Sequence, residues 1–241
     1  MTTQTKPAAQ NPAIEELFRV GAHFGYSRSR RHASVKPYLY GVRNGVDIID
    51  LEKTVVLLEE AKAYIAGLAS EGKRILFVGT KPEAKDVLAE AAKALGLPYV
   101  SERWIGGSLT NFGEIKKRKD RMKEITAMKE KGEMEKYTKR ERAGLERELA
   151  LLVTNFGGVA DMDTMPAALF IVDPRAEEIA VSEARKMKVP VIALANSDCS
   201  IKDIAHPIVG NDAGVMAVAH MVEIVKNAYL EGKKQYKPVS A

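Results

Sequence analysis

RILFVGTKPEAKDVLAEAAKALGLPYV, residues 74–100, reads as a strand, a helix and a strand in succession. Arg74–Gly79 is a short apolar run without alternation, the pattern of a strand covered on both faces in a parallel sheet. Pro82 carries the fixed φ of a first helical position, and the helix it opens runs to Leu95, where Gly96 ends it. Leu97–Val100 is then a second short strand. Strand, helix and strand in that order imply parallel neighbours joined by a crossover helix, and so an α/β body with a mostly parallel sheet.

Downstream the rhythm breaks. RWIGGSLTNF (Arg103–Phe112) is a glycine-broken aromatic loop that leads into a basic helical segment, with six Lys/Arg and one acid between Lys116 and Lys123. Ile115, Met122, Ile125 and Met128 mark a thin apolar stripe on this segment. A second helix is predicted from near Thr138 to Leu149, with Leu145, Leu149 and Leu152 on its seam. Such stripes are too narrow to face a core but suit two helices packed antiparallel, so residues 111–149 are expected to form an inserted coiled-coil hairpin.

The α/β rhythm resumes beyond it. Ala167–Asp173 and Val189–Leu194 are expected strands, and Pro174 starts the helix between them. Pro207–Val209 is a short strand, and a last helix is expected from about Asp212 to Leu230. Upstream, Pro12 opens a helix that stops at Gly21. Residues 22–51 then lack a helical period and mix Phe24, Tyr26, Tyr38 and Tyr40 with Arg28, Arg30, Arg31, Lys36 and Arg43. Asn44-Gly45 between LYGV and VDII signals a hairpin turn. Leu51–Ala69 has helical spacing. Residues 13–110 and 150–230 are therefore expected to build one α/β domain, with 1–12 a flexible lead-in and 231–241 a disordered basic tail.

Composition narrows the chemistry. Lys and Arg outnumber Asp and Glu by 37 to 32, a net charge of +5, which is compatible with a polyanionic partner. One cysteine, Cys199, excludes an internal disulfide framework and fits a reducing, cytosolic compartment. Four scattered histidines with a single cysteine argue against a structural zinc. No run of 18 apolar residues signals a membrane span, and the N-terminus lacks the marks of a targeting peptide. No cofactor or metal is expected.

Enzymatic sites find little support. Neither phosphate-loop pattern follows a predicted strand. FVGTKPEA, after the strand at Arg74, reads as a plain turn, with an anion at the helix N-terminus as its alternative. Asp161 and Asp163 have no third ligand in view, and Cys199 has no identifiable base. The basic material is better placed for function. Tyr26–Lys36 and Arg103–Phe112 mix aromatics, glycines and cations outside regular structure, as in segments that their partner orders, and Lys116–Lys119 follow directly. Arg28, Arg30, Arg31, Lys36, Arg103, Trp104, Asn111, Lys116, Lys117, Arg118 and Lys119 are the candidate contacts to a polyanionic partner.

Over roughly residues 11 to 230 the chain resembles the bacterial-type small-subunit ribosomal protein S2 family, as a divergent member. The blocks that carry the resemblance, in order, are AHFG (22–25), KPYLYGVRNGVDIIDLEKT (36–54), ILFVGTK (75–81), RWIGGSLTNF (103–112), NFGGVADMDTMPAALFIVDP (155–174) and PIVGNDA (207–213). YSRSRRHASVKP, DTMP and ANSD depart from the family pattern. The resemblance implies a three-layer, Rossmann-like (flavodoxin-like) α/β body with a protruding helical hairpin. It also implies binding to small-subunit ribosomal RNA beside neighbouring ribosomal proteins, recruitment of the large mRNA-binding one, no catalysis, and a cytoplasmic place on the ribosome without a membrane or a homo-oligomer. The alternative is a nucleotide- or anion-binding α/β enzyme working through the loops at its strand ends.

Overall fold

A computed structural model describes residues 11–236 of the chain. Helix α1 (Pro12–Arg19) is capped by the Asn11 side chain and leads into β1 (Phe24–Ser27). Two 3-10 turns follow, Arg28–Arg30 and Ala33–Tyr38, and then β2 (Leu39–Arg43) and β3 (Val46–Ile49). Asn44 and Gly45 join β2 to β3 with φ of 51° and 78°, a turn that needs two left-handed residues. The predicted hairpin is present, and β1 extends it to an antiparallel sheet of order β1-β3-β2. Tyr26–Lys36, expected to lack regular structure, thus holds the end of a strand and two tight turns.

The body starts with α2 (Leu51–Ser70), β4 (Ile75–Val78), α3 (Pro82–Leu95) and β5 (Tyr99–Val100). Gly96 closes α3 in the left-handed conformation at φ 68°, as its sequence position requires. Helices α4 (Phe112–Glu130) and α5 (Lys139–Phe156) come next, then β6 (Ala168–Val172), α6 (Glu178–Lys186), β7 (Val191–Ala195), β8 (His206–Val209) and α7 (Val215–Gln235). Five parallel strands form one sheet of order β5-β4-β6-β7-β8. Counted along the body this is 2-1-3-4-5, the flavodoxin-type order, with its reversal between β4 and β6.

Alternation along the strands divides the core. Ile75, Phe77, Phe170, Val172, Ile192 and Leu194 face one cluster with α2, α3 and α7. Leu76, Val78, Leu169, Ile171, Val191 and Ala193 face another that holds α6 and the inner sides of α4 and α5. The result is the expected three-layer α/β body.

Four boundaries differ from the sequence reading. The helix expected at Pro174 begins at Glu178, because Asp173 takes φ 63° and its carboxylate accepts the N–H groups of Arg175 and Ala176, forming a turn first. The last helix starts at Val215 rather than near Asp212, whose side chain is committed elsewhere, and it continues to Gln235. The start of the basic tail is therefore helical. The rest of that tail, and nearly all of the 1–12 lead-in, lie outside the described residues. Finally, α5 runs past residue 149 to Phe156, and the stripes thought too narrow for a core bury Ile115, Met122, Ile125 and Leu152, which pack with Trp104, Leu109 and Phe156, while Leu145 and Leu149 are partly buried against them.

The contact of α2 with α7 shows how tightly the outer layer is built. A Cβ added at Gly232 would lie 2.2 Å from the Ala66 carbonyl oxygen, and backbone cannot swing aside. Gly232→Ala should therefore destabilise the protein by about 1–3 kcal/mol in denaturant unfolding, although alanine by itself favours a helix. A stabilised variant would mean that the helices do not approach this closely.

Candidate nucleic-acid interface

Because the five strands are parallel, the segments after each of them lie along one edge of the sheet. This is the edge where open α/β sheets place ligands, at the point of reversal. Here the reversal point is filled from within. Glu177 accepts hydrogen bonds from the Thr80 N–H (2.9 Å) and hydroxyl (2.6 Å), occupying the N–H that an anion at the start of α3 would use. The Lys81 ammonium lies 2.7 Å from Asp173 and 3.1 Å from Asp212, and it also donates to the Tyr26 hydroxyl at 3.2 Å.

Electrostatics confirm that this cluster is closed on itself. Burial alone would lower Lys81, but the two carboxylates outweigh it and hold the ammonium charged well above the usual lysine range. Burial, reinforced by the charge of Asp173, pushes Asp212 up to about 6. Asp173, Cys199 and Asp212 bring three potential ligand atoms within 4.8 Å of one another. Lys81 already supplies the cation between two of them. Burial, and then the surrounding carboxylates, push the Cys199 thiol far up, so it is a poor nucleophile.

Around this closed centre stand the basic pieces. The Arg28–Lys36 segment is fastened to the body, not loose: Tyr26 N–H donates to the Ser197 hydroxyl at 2.8 Å, His32 N–H to the Ser197 carbonyl at 2.8 Å, and Ile201 N–H to Ser34 Oγ at 3.1 Å. Arg31 forks onto the buried Asp47, with Nε to Oδ2 at 2.8 Å. That pairing satisfies Arg31 internally, whereas Arg28, Arg30 and Lys36 are exposed.

The loop between β5 and α4 is organised by a residue the sequence did not single out. Glu183, in the middle of α6, accepts from Trp104 Nε1 (3.2 Å), Gly107 N–H (2.7 Å), Leu109 N–H (3.0 Å), and the Thr110 N–H and hydroxyl (both 3.1 Å). Burial would raise Glu183, but these donors outweigh it and hold the carboxylate below its ordinary range. The loop was expected to offer its backbone to phosphate and its tryptophan to stacking. Those N–H groups instead wrap an internal anion, and Trp104 is 6% exposed. Arg103 and Asn111 remain on the surface.

The basic run of α4 is also divided. Successive helical residues point about 100° apart, so Lys116–Lys119 point in four directions. Lys116, Lys117 and Arg118 are exposed, and Lys117 leans on Glu114 at 2.6 Å. Lys119 is 1% exposed; its ammonium donates to the Met162 carbonyl and lies 3.6 Å from Asp163. Lys119 and Trp104 are therefore structural, a correction that follows from their burial. The exposed Arg175 and the buried Asp198 carboxylate it bonds at 2.7 Å went unremarked as contacts. Their pairing spans two strand ends and leaves no local signal in the sequence.

Comparison with known proteins agrees with this architecture. A family model described as ribosomal protein S2 matches residues 17–232. A protein of Geotalea uraniireducens is 42% identical over 92% of this chain and 87% of its own length. One of Chlorobaculum tepidum is 43% identical over 91% and 88%, and one of Bdellovibrio bacteriovorus 42% over 93% and 72%. Each of the three is named small ribosomal subunit protein uS2.

Proposed function

We infer the function of this chain from its membership: it belongs to the ribosomal protein S2 family. We propose that it binds small-subunit ribosomal RNA through the exposed cations of the loops after β7 and β5 and of helix α4, as a non-catalytic, cytoplasmic component of the subunit. The observation that carries this reading is the match over nearly the whole chain, strand sheet and helix pair included. The alternative of a nucleotide-using enzyme loses its main support, because Glu177, Asp173 and Asp212 occupy the place of a bound phosphate.

The exposed candidates are Arg28, Arg30, Lys36, Arg103, Asn111, Lys116, Lys117 and Arg118. Arg28, Arg30 and Lys36 lie beside the loop after β7, Arg103 and Asn111 in the loop after β5, and Lys116, Lys117 and Arg118 continue along α4. Three strand spacings separate the ends of β7 and β5, about 14 Å at ~4.8 Å each, a span that a single stretch of RNA backbone crosses. A protein partner, such as the large mRNA-binding ribosomal protein, is supported by Phe18, Phe24 and Tyr40, which are 62%, 50% and 83% exposed beside the small sheet.

Phosphate contacts have a salt signature. Each one adds about 0.7–0.9 to the slope of log affinity against log salt. Reversing Lys116, Lys117 and Arg118 to glutamate should weaken binding to a small-subunit rRNA transcript and flatten that slope, while leaving the protein folded. An unchanged slope would assign this face of α4 to protein or solvent.

A further inference from the structure

A cleft of about 560 Å³ opens between the Arg28–Arg30 turn, the turn after β6 and the loop after β7. Two guanidiniums share one carboxylate at its rim. Asp198, whose side chain is 4% exposed, bonds Arg175 at 2.7 Å and lies 3.7 Å from Arg30. Both arginine side chains remain about half exposed, at 54% and 53%. Arg30 is held further by the Tyr26 ring beneath it, 4.6 Å from centroid to guanidinium, and Tyr26 is anchored in turn by Lys81. Arg175 is fixed at its backbone, where its N–H donates to Asp173. The two forks are thus pre-positioned.

The charge balance selects the ligand. Arg31 is neutralised by Asp47, and Asp203 by Arg185 at 3.2 Å. That leaves Arg30 and Arg175 facing Asp198, with Glu178 on the cleft wall in the first turn of α6. A nucleoside polyphosphate would bring three or four negative charges into a site with no net positive charge. A phosphodiester brings one, which two half-exposed guanidiniums accommodate. Pro174 and Val181 give the wall an apolar surface, and Glu178 can accept from an exocyclic amine or a 2′-hydroxyl.

We propose that this cleft seats one unpaired nucleotide of the bound RNA, its phosphodiester on Arg30 and Arg175. The inference rests on the RNA-binding reading above and adds to it Arg175, a specific contact outside the basic segments.

The test is 2′-hydroxyl acylation probing of a small-subunit rRNA transcript with the full-length wild-type protein, Arg175→Ala and Arg175→Lys. Wild type should protect a set of nucleotides that includes one in an unpaired stretch. Arg175→Ala should restore reactivity at that nucleotide and its immediate neighbours alone, with affinity lowered roughly tenfold. Arg175→Lys, which keeps the charge but not the fork, should restore it partly. Unchanged protections in Arg175→Ala would overturn the seat and leave the RNA-binding reading standing, as would a loss of all protections together from a variant whose thermal melt is native. No protection by the wild-type protein would overturn both.

Discussion

Lys119→Glu is expected to cost about 3–5 kcal/mol, the range for an uncompensated buried charge, whereas Lys116→Glu three residues earlier should stay within about 0.5 kcal/mol. The two lysines belong to one run and differ only in direction. Lys119 lies on the stripe of Ile115, Met122 and Ile125, 5.7 Å from the Phe112 ring, and its ammonium reaches the Met162 carbonyl on the segment leading into β6. It is the polar tie between the base of the helix pair and the sheet. A glutamate there would aim a carboxylate at a carbonyl oxygen with Asp163 close by. Lys119→Met keeps the volume and leaves only the Met162 oxygen unpaired, so it should lose about 1–3 kcal/mol. Urea unfolding of the three variants checks the order, and equal losses for Lys116→Glu and Lys119→Glu would contradict it.

Lys81→Met should be comparably severe, and its effect should depend on pH. Removing the ammonium strands Asp173 and Asp212 beside each other in the interior. The expected loss is about 3–5 kcal/mol at neutral pH, or roughly 6–20 °C in Tm for a chain of this size. In the native protein Asp212 is already pushed up to about 6 by burial and by Asp173. An unfolded aspartate titrates near ~3.9, so the fold holds this proton more tightly than the unfolded chain does. The contribution of Asp212 therefore falls as pH rises from about 4 to about 6. The contribution of Lys81 has the opposite origin. Its folded value is raised, so it is complete below about pH 10.4 and lost only above that. Without Lys81 the carboxylate pair must take up a proton at still higher pH. The deficit of Lys81→Met should thus be largest above about pH 7 and shrink below about pH 5. Adding Asp212→Asn removes the like charge while keeping an oxygen for the Asn196 amide, which now bonds Asp212 at 2.9 Å, and should restore much of the loss. A deficit independent of pH, or no rescue, would mean that the cluster is not governed by charge.

What could be read from the sequence follows the range of the interactions. Strands such as Ile75–Val78 and Ala168–Val172 are uniformly apolar because helices cover both faces, and that pattern is local. Gly96 and Asn44-Gly45 announce their turns through backbone conformations that few residues adopt. The burial of Lys119 was also within reach, since it lies four residues after Ile115 and three before Met122 and so shares their face. The cluster of like charges around it hid the periodicity. Glu183 is different. Its partners lie more than 70 residues earlier in the chain, at Trp104–Thr110, and nothing around Glu183 marks it apart from other helical glutamates. Arg175 with Asp198, and Lys81 with Asp173 and Asp212, are likewise set by which strand ends the topology brings together. The sequence displayed the cations; only the fold shows which of them are already paired.

We propose that the exposed cations of the loops after β7 and β5 and of α4 place this chain on small-subunit RNA. Chemical footprinting of the RNA in small subunits with and without the protein tests it most directly. A compact set of protections that appears with the wild-type chain, and is lost in part on reversing Arg28, Arg103 and Lys116 to glutamate, is the predicted result. Protections scattered over unrelated sites, or a compact set indifferent to those reversals, would contradict it.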